Sequence, residues 1–209
     1  MSKIVVYDFD GTLSYGDSME ELFNSKMCGA KAGYRLYYYF LKVLSKMKLS
    51  TVKREKERMI KLLFHSDEKA FRDACIEQTK GFKFSPIIEL LKKDVSDGCR
   101  VIVLSASSEY FLKTVFVEDQ IEILGTTFNC EEGKIKGIKQ HPFYHEKVDT
   151  LIGNGIPVVD EAYFDSKWDD CLKALCRVWH KVKDGVVVES GTNELYDIEI
   201  YVQNNKEVF

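Results

Sequence analysis

The run Lys3-Ile4-Val5-Val6-Tyr7-Asp8-Phe9, closed at once by Asp10-Gly11-Thr12-Leu13, limits this chain more than any other stretch. β-Branched and aromatic residues in unbroken succession read as a strand buried on both faces, the pattern of a parallel sheet, and Gly11-Thr12 ends it in a tight loop. Strand signals return at Arg100 to Ser105, directly after the helix stop Asp97-Gly98, and again at Gly155 to Val159 and Glu161 to Phe164. Between the first two, from Asp17 to about Asp94, the spacing is helical and rich in Lys, Glu, Leu and Met, with Pro86 its only proline. This order predicts an α/β fold: a doubly wound, Rossmann-like parallel sheet sandwiched by helices, with ligands gathering beyond the carboxyl ends of the strands. The helical block then sits over that edge as an inserted all-helical cap, which divides the chain into a core of residues 1–14 and 95–209 and a cap of 15–94. Glu131 to Ile138 reads as a small hairpin or a strand with a turn at Glu132-Gly133, and the tail offers strand-like pieces at Val186 to Val188 and Ile198 to Val202.

With 45% hydrophobic and 30% charged residues in 209, the chain has the balance of a folded globular protein with a sizeable core. A net charge of -3 sets up no field for a polyanion, so nucleic acid is not an expected partner. Six cysteines without Cys-x-x-Cys spacing, and a Met-Ser-Lys start that runs straight into the first strand, suggest reduced thiols and a cytoplasmic protein.

The chemistry gathers where strands are expected to end. Asp8 and Asp10 lie two residues apart on extended backbone, so both carboxylates face the same way while Phe9 packs inward. Like charges that close need a cation, a shared proton, or both. Ser105, in Leu104-Ser105-Ala106-Ser107, brings a hydroxyl and free N–H groups to a strand-to-helix passage suited to phosphate oxygens. Lys147 offers a fixed positive charge, and Phe164-Asp165-Ser166-Lys167-Trp168-Asp169-Asp170 ends another strand with hard oxygen donors of the kind Mg2+ takes. His141 and His145 have nothing at ligand spacing beside them and read as packing or surface residues.

In this order, Asp-x-Asp-Gly-Thr-Leu, strand-Ser, Lys and strand-Asp-x-x-x-Asp resemble the four motifs of the haloacid dehalogenase superfamily. The helical insertion, Val103 to Ser107 and Glu146-Lys147-Val148 resemble its phosphoserine-phosphatase-like branch. The resemblance implies a Mg2+-dependent phosphomonoester hydrolase in which Asp8 attacks phosphorus to give an aspartyl-phosphate. Asp10 is then the acid and base, and Thr12, Ser105 and Lys147 bind the phosphoryl oxygens. It further implies Mg2+ on Asp8, the carbonyl of Asp10, and Asp165, with Asp169 either reaching the ion through water or orienting Lys147; Asp170 is the alternative to Asp169. The motif's usual Gly before Asp165 is Phe164 here, a bulk expected to narrow the loop.

The alcohol half of the substrate is less legible. Asp17 stands where phosphoserine phosphatases carry an acidic residue, which suits a small phosphoserine-like metabolite, and equally caps a helix. The aromatic stretch Tyr34 to Leu44, followed by the basic run Lys53 to Arg58, reads as a buried lid helix, an interfacial helix or part of a dimer contact, and its aromatic character resembles insertions in phosphatases similar to phosphatidylglycerophosphate phosphatases. That leaves a lipid-linked phosphate as an alternative, with Arg35, Arg54 and Arg58 as substrate contacts and peripheral membrane contact open but not favoured. A phosphotransferase or mutase, or a phospho-Asp switch without turnover, are the alternatives of another class.

Overall fold

A computed structural model describes residues 2–28, 32–117 and 120–204. β1 (Ile4–Tyr7) leads into five helices, α1 (Ser18–Met27), α2 (Ala32–Lys46), α3 (Val52–Phe64), α4 (Glu68–Gln78) and α5 (Ile88–Ser96). The chain continues through β2 (Arg100–Ser108), α6 (Glu109–Val115), the hairpin β3 (Ile121–Glu131) and β4 (Lys134–Gln140), and α7 (His145–Gly153). β5 (Val159–Phe164), β6 (Cys176–Lys183), β7 (Val186–Thr192) and α8 (Leu195–Asn204) complete it.

The seven strands form one sheet in the order β4-β3-β2-β1-β5-β6-β7. β3, β2, β1, β5 and β6 run parallel, and the hairpin partners β4 and β7 close the two edges antiparallel. Successive crossovers move outward from β1 to β2 and β3, then return to β5 on its other side. The carboxyl ends of β1, β2 and β5 therefore surround the point where strand order reverses, the place such sheets bind ligands.

Burial follows the sequence pattern. Val5, Tyr7 and Phe9 face one apolar cluster with residues of the helical insertion, and Val6, Ile102 and Ala162 face a second one on the opposite side of the sheet. Three helices of the insertion, α1, α3 and α4, are started by chemistry the sequence carries: Asp17 accepts the N–H of Glu20, Thr51 that of Arg54, and Asp67 that of Ala70. α5 lies with the sheet rather than with those helices, since the Tyr7 hydroxyl donates to Asp94 at 2.6 Å. The hairpin turns at Glu132 and Gly133, both at positive φ (48° and 71°), the conformation two-residue hairpin loops need.

Two expectations for the strands give way. Ile198 to Val202 is helical, because Ile198 and Val202, four residues apart, are the buried pair and Ile200 is exposed. The strand expected from Gly155 starts only at Val159, after Gly155 at φ 74° and Pro157, which has no N–H to give a ladder. β6 carried no sequence signal that separated it from the helical stretches around it. All six cysteines are free thiols, and no helix among the described residues is long and apolar enough to cross a membrane.

Candidate active site

β1 delivers Asp8 at its carboxyl end, where its N–H donates to the Tyr163 carbonyl of β5 at 2.8 Å. Gly11 then turns the chain at φ 79°, and a Cβ there would lie 2.3 Å from the Asp165 Oδ2. Only glycine brings the loop after β1 this close to the loop after β5. We expect Gly11→Ala to lower turnover about tenfold by displacing Asp165, while backbone strain lowers stability by only about 1–2 kcal/mol. A turnover assay beside a urea melt reads the two effects separately; equal turnover in both proteins would refute the role given to the glycine.

Asp8, Asp165 and Asp169 each present a carboxylate oxygen within 4.8 Å of the other two. Lys147, buried at 2% exposure, reaches from α7 and donates to Asp8 Oδ1 at 2.7 Å and to Asp169 Oδ1 at 2.5 Å. Burial lifts the Asp8 carboxyl well above the ordinary range; Lys147 opposes this, and Asp169 and Asp165 add to it. Burial, reinforced by Asp169, likewise pushes Asp165 up to about 6. Burial works against the Lys147 ammonium, yet Asp8 and Asp169 more than compensate and raise its pKa. One cation thus faces three clustered carboxyls, a donor set short of positive charge and made only of hard oxygens. Mg2+ fits that chemistry.

Asp10 occupies a different environment. Its Oδ1 accepts the Ser18 N–H at 2.9 Å and its Oδ2 a short bond from the Ser107 hydroxyl, which lies 2.6 Å from the Ser18 hydroxyl. With Asp10 ionised, its bond takes the Ser107 proton, so Ser18 donates to Ser107 in turn. Burial, then the Asp17 charge, push Asp10 up to about 6 against those hydrogen bonds. It is therefore a carboxyl able to hold a proton close to neutrality.

Asp8, Asp10, Lys147, Asp165 and Asp169 line a cavity of about 350 Å3 together with Ser105, Asp17 and Lys56. Ser105 accepts the Ser107 N–H at 3.1 Å. Thr12 is buried without a hydroxyl partner among the described residues and does not line the cavity. Asp17 does line it, and at the same time caps α1. Asp170 stands apart, paired with Lys173 at 2.8 Å and Lys181 at 3.5 Å. The expected narrowing by Phe164 does not reach the cavity: its side chain is fully buried in the second apolar cluster and does not line it.

None of Arg35, Arg54 and Arg58 lines the cavity, and all three are exposed. Arg54 and Arg58 stand two residues either side of Lys56, about 200° around the helix, so they turn outward when Lys56 turns in. Lys56 is the residue that sequence reading passed over. It is buried, donates to the Ala106 carbonyl at 2.8 Å, and brings a cation from α3 to the cavity wall. Its signal was present as a lysine within the buried stripe Lys56, Met59, Ile60 and Phe64.

His141 packs beside this network, its Nδ1 2.9 Å from the Thr126 hydroxyl. That hydroxyl donates its proton to the Ala106 carbonyl at 2.7 Å, so Nδ1 carries the ring proton. Burial, aided by the charges of Lys56 and Lys53, lowers the imidazole pKa to about 2. Below about pH 6.5 the unfolded chain then binds a proton that the folded one refuses, and stability falls as pH falls. Between pH 7.5 and 5.5, urea melts of wild type should lose about 1.4 kcal/mol more than those of His141→Gln. Parallel losses in the two proteins would contradict it.

The sequence profile of the haloacid dehalogenase-like hydrolases matches residues 5–153, which hold Asp8, Asp10, Ser105 and Lys147. The chain belongs to this family. Asp165 and Asp169 lie beyond the matched residues. No curated protein sequence matches the chain. Among solved structures, one of a protein of unknown function from Bordetella pertussis Tohama I is similar over 83% of this chain and 86% of its own, at 17% identity and TM-score 0.68. A phosphoserine phosphohydrolase-like protein from Francisella tularensis subsp. tularensis SCHU S4 matches over 81% of each chain, at 14% identity and TM-score 0.59. A substrate-bound phosphoserine phosphatase complex matches over 86% of this chain and 85% of its own, at 13% identity and TM-score 0.55. At these identities the likeness is one of fold: the hydrolase shares the α/β architecture of phosphoserine-phosphatase-like members.

Proposed function

We propose that this hydrolase is a Mg2+-dependent phosphatase of small phosphomonoesters that works through an aspartyl-phosphate on Asp8. The observation that carries the reading is the contrast between two carboxyls two residues apart. Asp8 is held by Lys147 inside the carboxylate cluster, whereas Asp10 lies outside it in a hydrogen-bonded niche that favours a shared proton. With Oδ1 engaged by Lys147, the other oxygen of Asp8 attacks phosphorus as the ester P–O bond breaks. Asp10 gives its proton to the leaving oxygen, then takes one from the water that attacks the acyl phosphate, which frees phosphate and restores Asp8. Ser105 and Lys147 hold phosphoryl oxygens; the Thr12 hydroxyl, buried outside the cavity lining, takes no part. Asp8, Asp165 and the Asp10 carbonyl would hold Mg2+, with Asp169 fixing Lys147; when bound, the ion offsets charge on the transferring phosphoryl group.

The stretch 15–94 divides in this reading. α1 to α4 act as the cap over the core strands, and α5 works with the core. Asp17 and Lys56 put opposite charges at the cavity's cap side, which suits an amino-acid-like alcohol of the phosphoserine kind and shields it from bulk water. The cytoplasm, where Mg2+ is plentiful and thiols stay reduced, is the setting this chemistry suits.

The test is phosphate release from a panel of phosphorylated metabolites with Mg2+ and with chelator, for wild type and Asp10→Asn. Chelation should abolish release, and Asp10→Asn should slow it by about 10²–10⁴-fold. Metal-independent release, or an unimpaired Asp10→Asn, would remove the reading. Release that required an added alcohol acceptor would make the protein a phosphotransferase instead.

A further inference from the structure

The cavity over the carboxylates does not end at the cap helices. Val52, Phe143 and Trp168 line it and also line a second, wider groove of about 710 Å3. The groove runs between the turn after α2 and the segment that leads into α7, and has twice the room of the first cavity. Its wall is aromatic: Trp168, half exposed, packs against Phe143 at 5.9 Å and edge-on against Tyr144 at 5.8 Å. His141 adds an uncharged ring, stacked on Phe143. The rim has the opposite character, for Lys46, Lys48 and Lys53 border it and Glu146 is the single acid facing them. None of the three lysines forms an ion pair among the described residues.

The geometry points to this groove as the site for the far end of the alcohol, beyond the Asp17 and Lys56 charges: an apolar body lying against Phe143, Tyr144 and Trp168, ending in an anionic group among Lys46, Lys48 and Lys53. The inference rests on the phosphatase reading and deepens it. Asp8 lines the first cavity and Val52, Phe143 and Trp168 line both, so an ester on Asp8 longer than a simple amino acid has room to extend past Val52 into the groove. An aromatic wall rewards apolar length, and unpaired lysines reward a terminal anion; a short polar alcohol would use neither.

The experiment takes the full chain with Mg2+ and compares kcat/KM for ethyl, butyl and octyl phosphate and for the corresponding ω-carboxyalkyl phosphates, all below micelle-forming concentrations. The expected result is a rise with length, up to about fourfold per methylene, and a further gain of about fivefold from the carboxylate on the longest ester. The double variant Lys46→Gln, Lys53→Gln should lose that last gain and leave ethyl phosphate unchanged. The length series is read on unaltered protein, so it stands even if the variant misfolds. A kcat/KM indifferent to length overturns the groove while Asp8-dependent turnover of ethyl phosphate keeps the phosphatase reading. A rise with length but no gain from the carboxylate overturns the anionic end. Absence of Asp8-dependent turnover on every ester overturns both readings together.

Discussion

Replacing Asp8 with Asn should remove turnover on every phosphate ester, a loss on the order of 10⁴-fold or more, and leave the protein folded. An amide has no anionic carboxylate oxygen to bond to phosphorus, so the aspartyl-phosphate cannot form. The fold should survive for a reason visible in the charges. Asp8 is one of three carboxyls competing for Lys147, and its own ionisation is opposed by burial and by Asp165 and Asp169. The variant keeps Lys147 on Asp169 at 2.5 Å and sheds one like-charge repulsion. Thermal melts in chelator should therefore differ by no more than a few degrees, equivalent to about 1 kcal/mol. Phosphate release measured with excess Mg2+, together with those melts, decides the matter. Activity within tenfold of wild type would show that Asp8 is not the nucleophile.

The Asp8–Asp10 pair was legible because everything that sets it is local. An apolar strand, a period of two and a glycine turn lie in eleven consecutive residues, and the sheet they enter is the one their burial demands. The order of the later strand ends carried Ser105, Lys147 and Asp165 in the same way. What was not legible depends on long-range approach. Ser18 and Ser107, 89 residues apart, meet around Asp10 only after α1 docks beside β2, and a serine in either place otherwise reads as a helix cap. Lys56 was hidden among six consecutive charged residues, 53–58, where only the helical phase separates the inward lysine from the outward arginines. Ile198 to Val202 shows the reverse error: a strict alternation of apolar residues, read as a strand, belongs to a helix with two of them buried. Phe164, where the family pattern places glycine, suggests a narrowed loop. At the last position of β5 its side chain instead enters the same apolar cluster as Ala162 two residues before it, and alternation along a strand decides that before size does.

Replacing Lys147 with Met should damage stability and catalysis together, and pH and Mg2+ should separate the two losses. The ammonium is buried with Asp8 and Asp169 on it, so its removal leaves two buried carboxyls and the nearby Asp165 with no compensating charge. Breaking a buried pair this way costs about 3–5 kcal/mol when the remaining charge stays ionised. It need not stay ionised. Burial already lifts Asp8 and Asp165, and without Lys147 both rise further. A carboxyl whose folded pKa is raised binds more protons folded than unfolded, so its contribution is intact at acid pH and is lost as pH climbs through the folded value. Relative to wild type, Lys147→Met should be least stable at pH 7.5 and recover much of its deficit by pH 5.5. Mg2+ should narrow the gap at pH 7.5, since a divalent ion supplies the charge the methionine lacks. Turnover should stay down by about 10²–10³-fold even at saturating Mg2+, because the fixed donor to the phosphoryl oxygens is gone. Urea melts at the two pH values, each with Mg2+ and with chelator, test the stability claim. A deficit that neither acid nor Mg2+ reduces would mean that Lys147 stabilises the protein by packing and not by neutralising the carboxylates that converge on it.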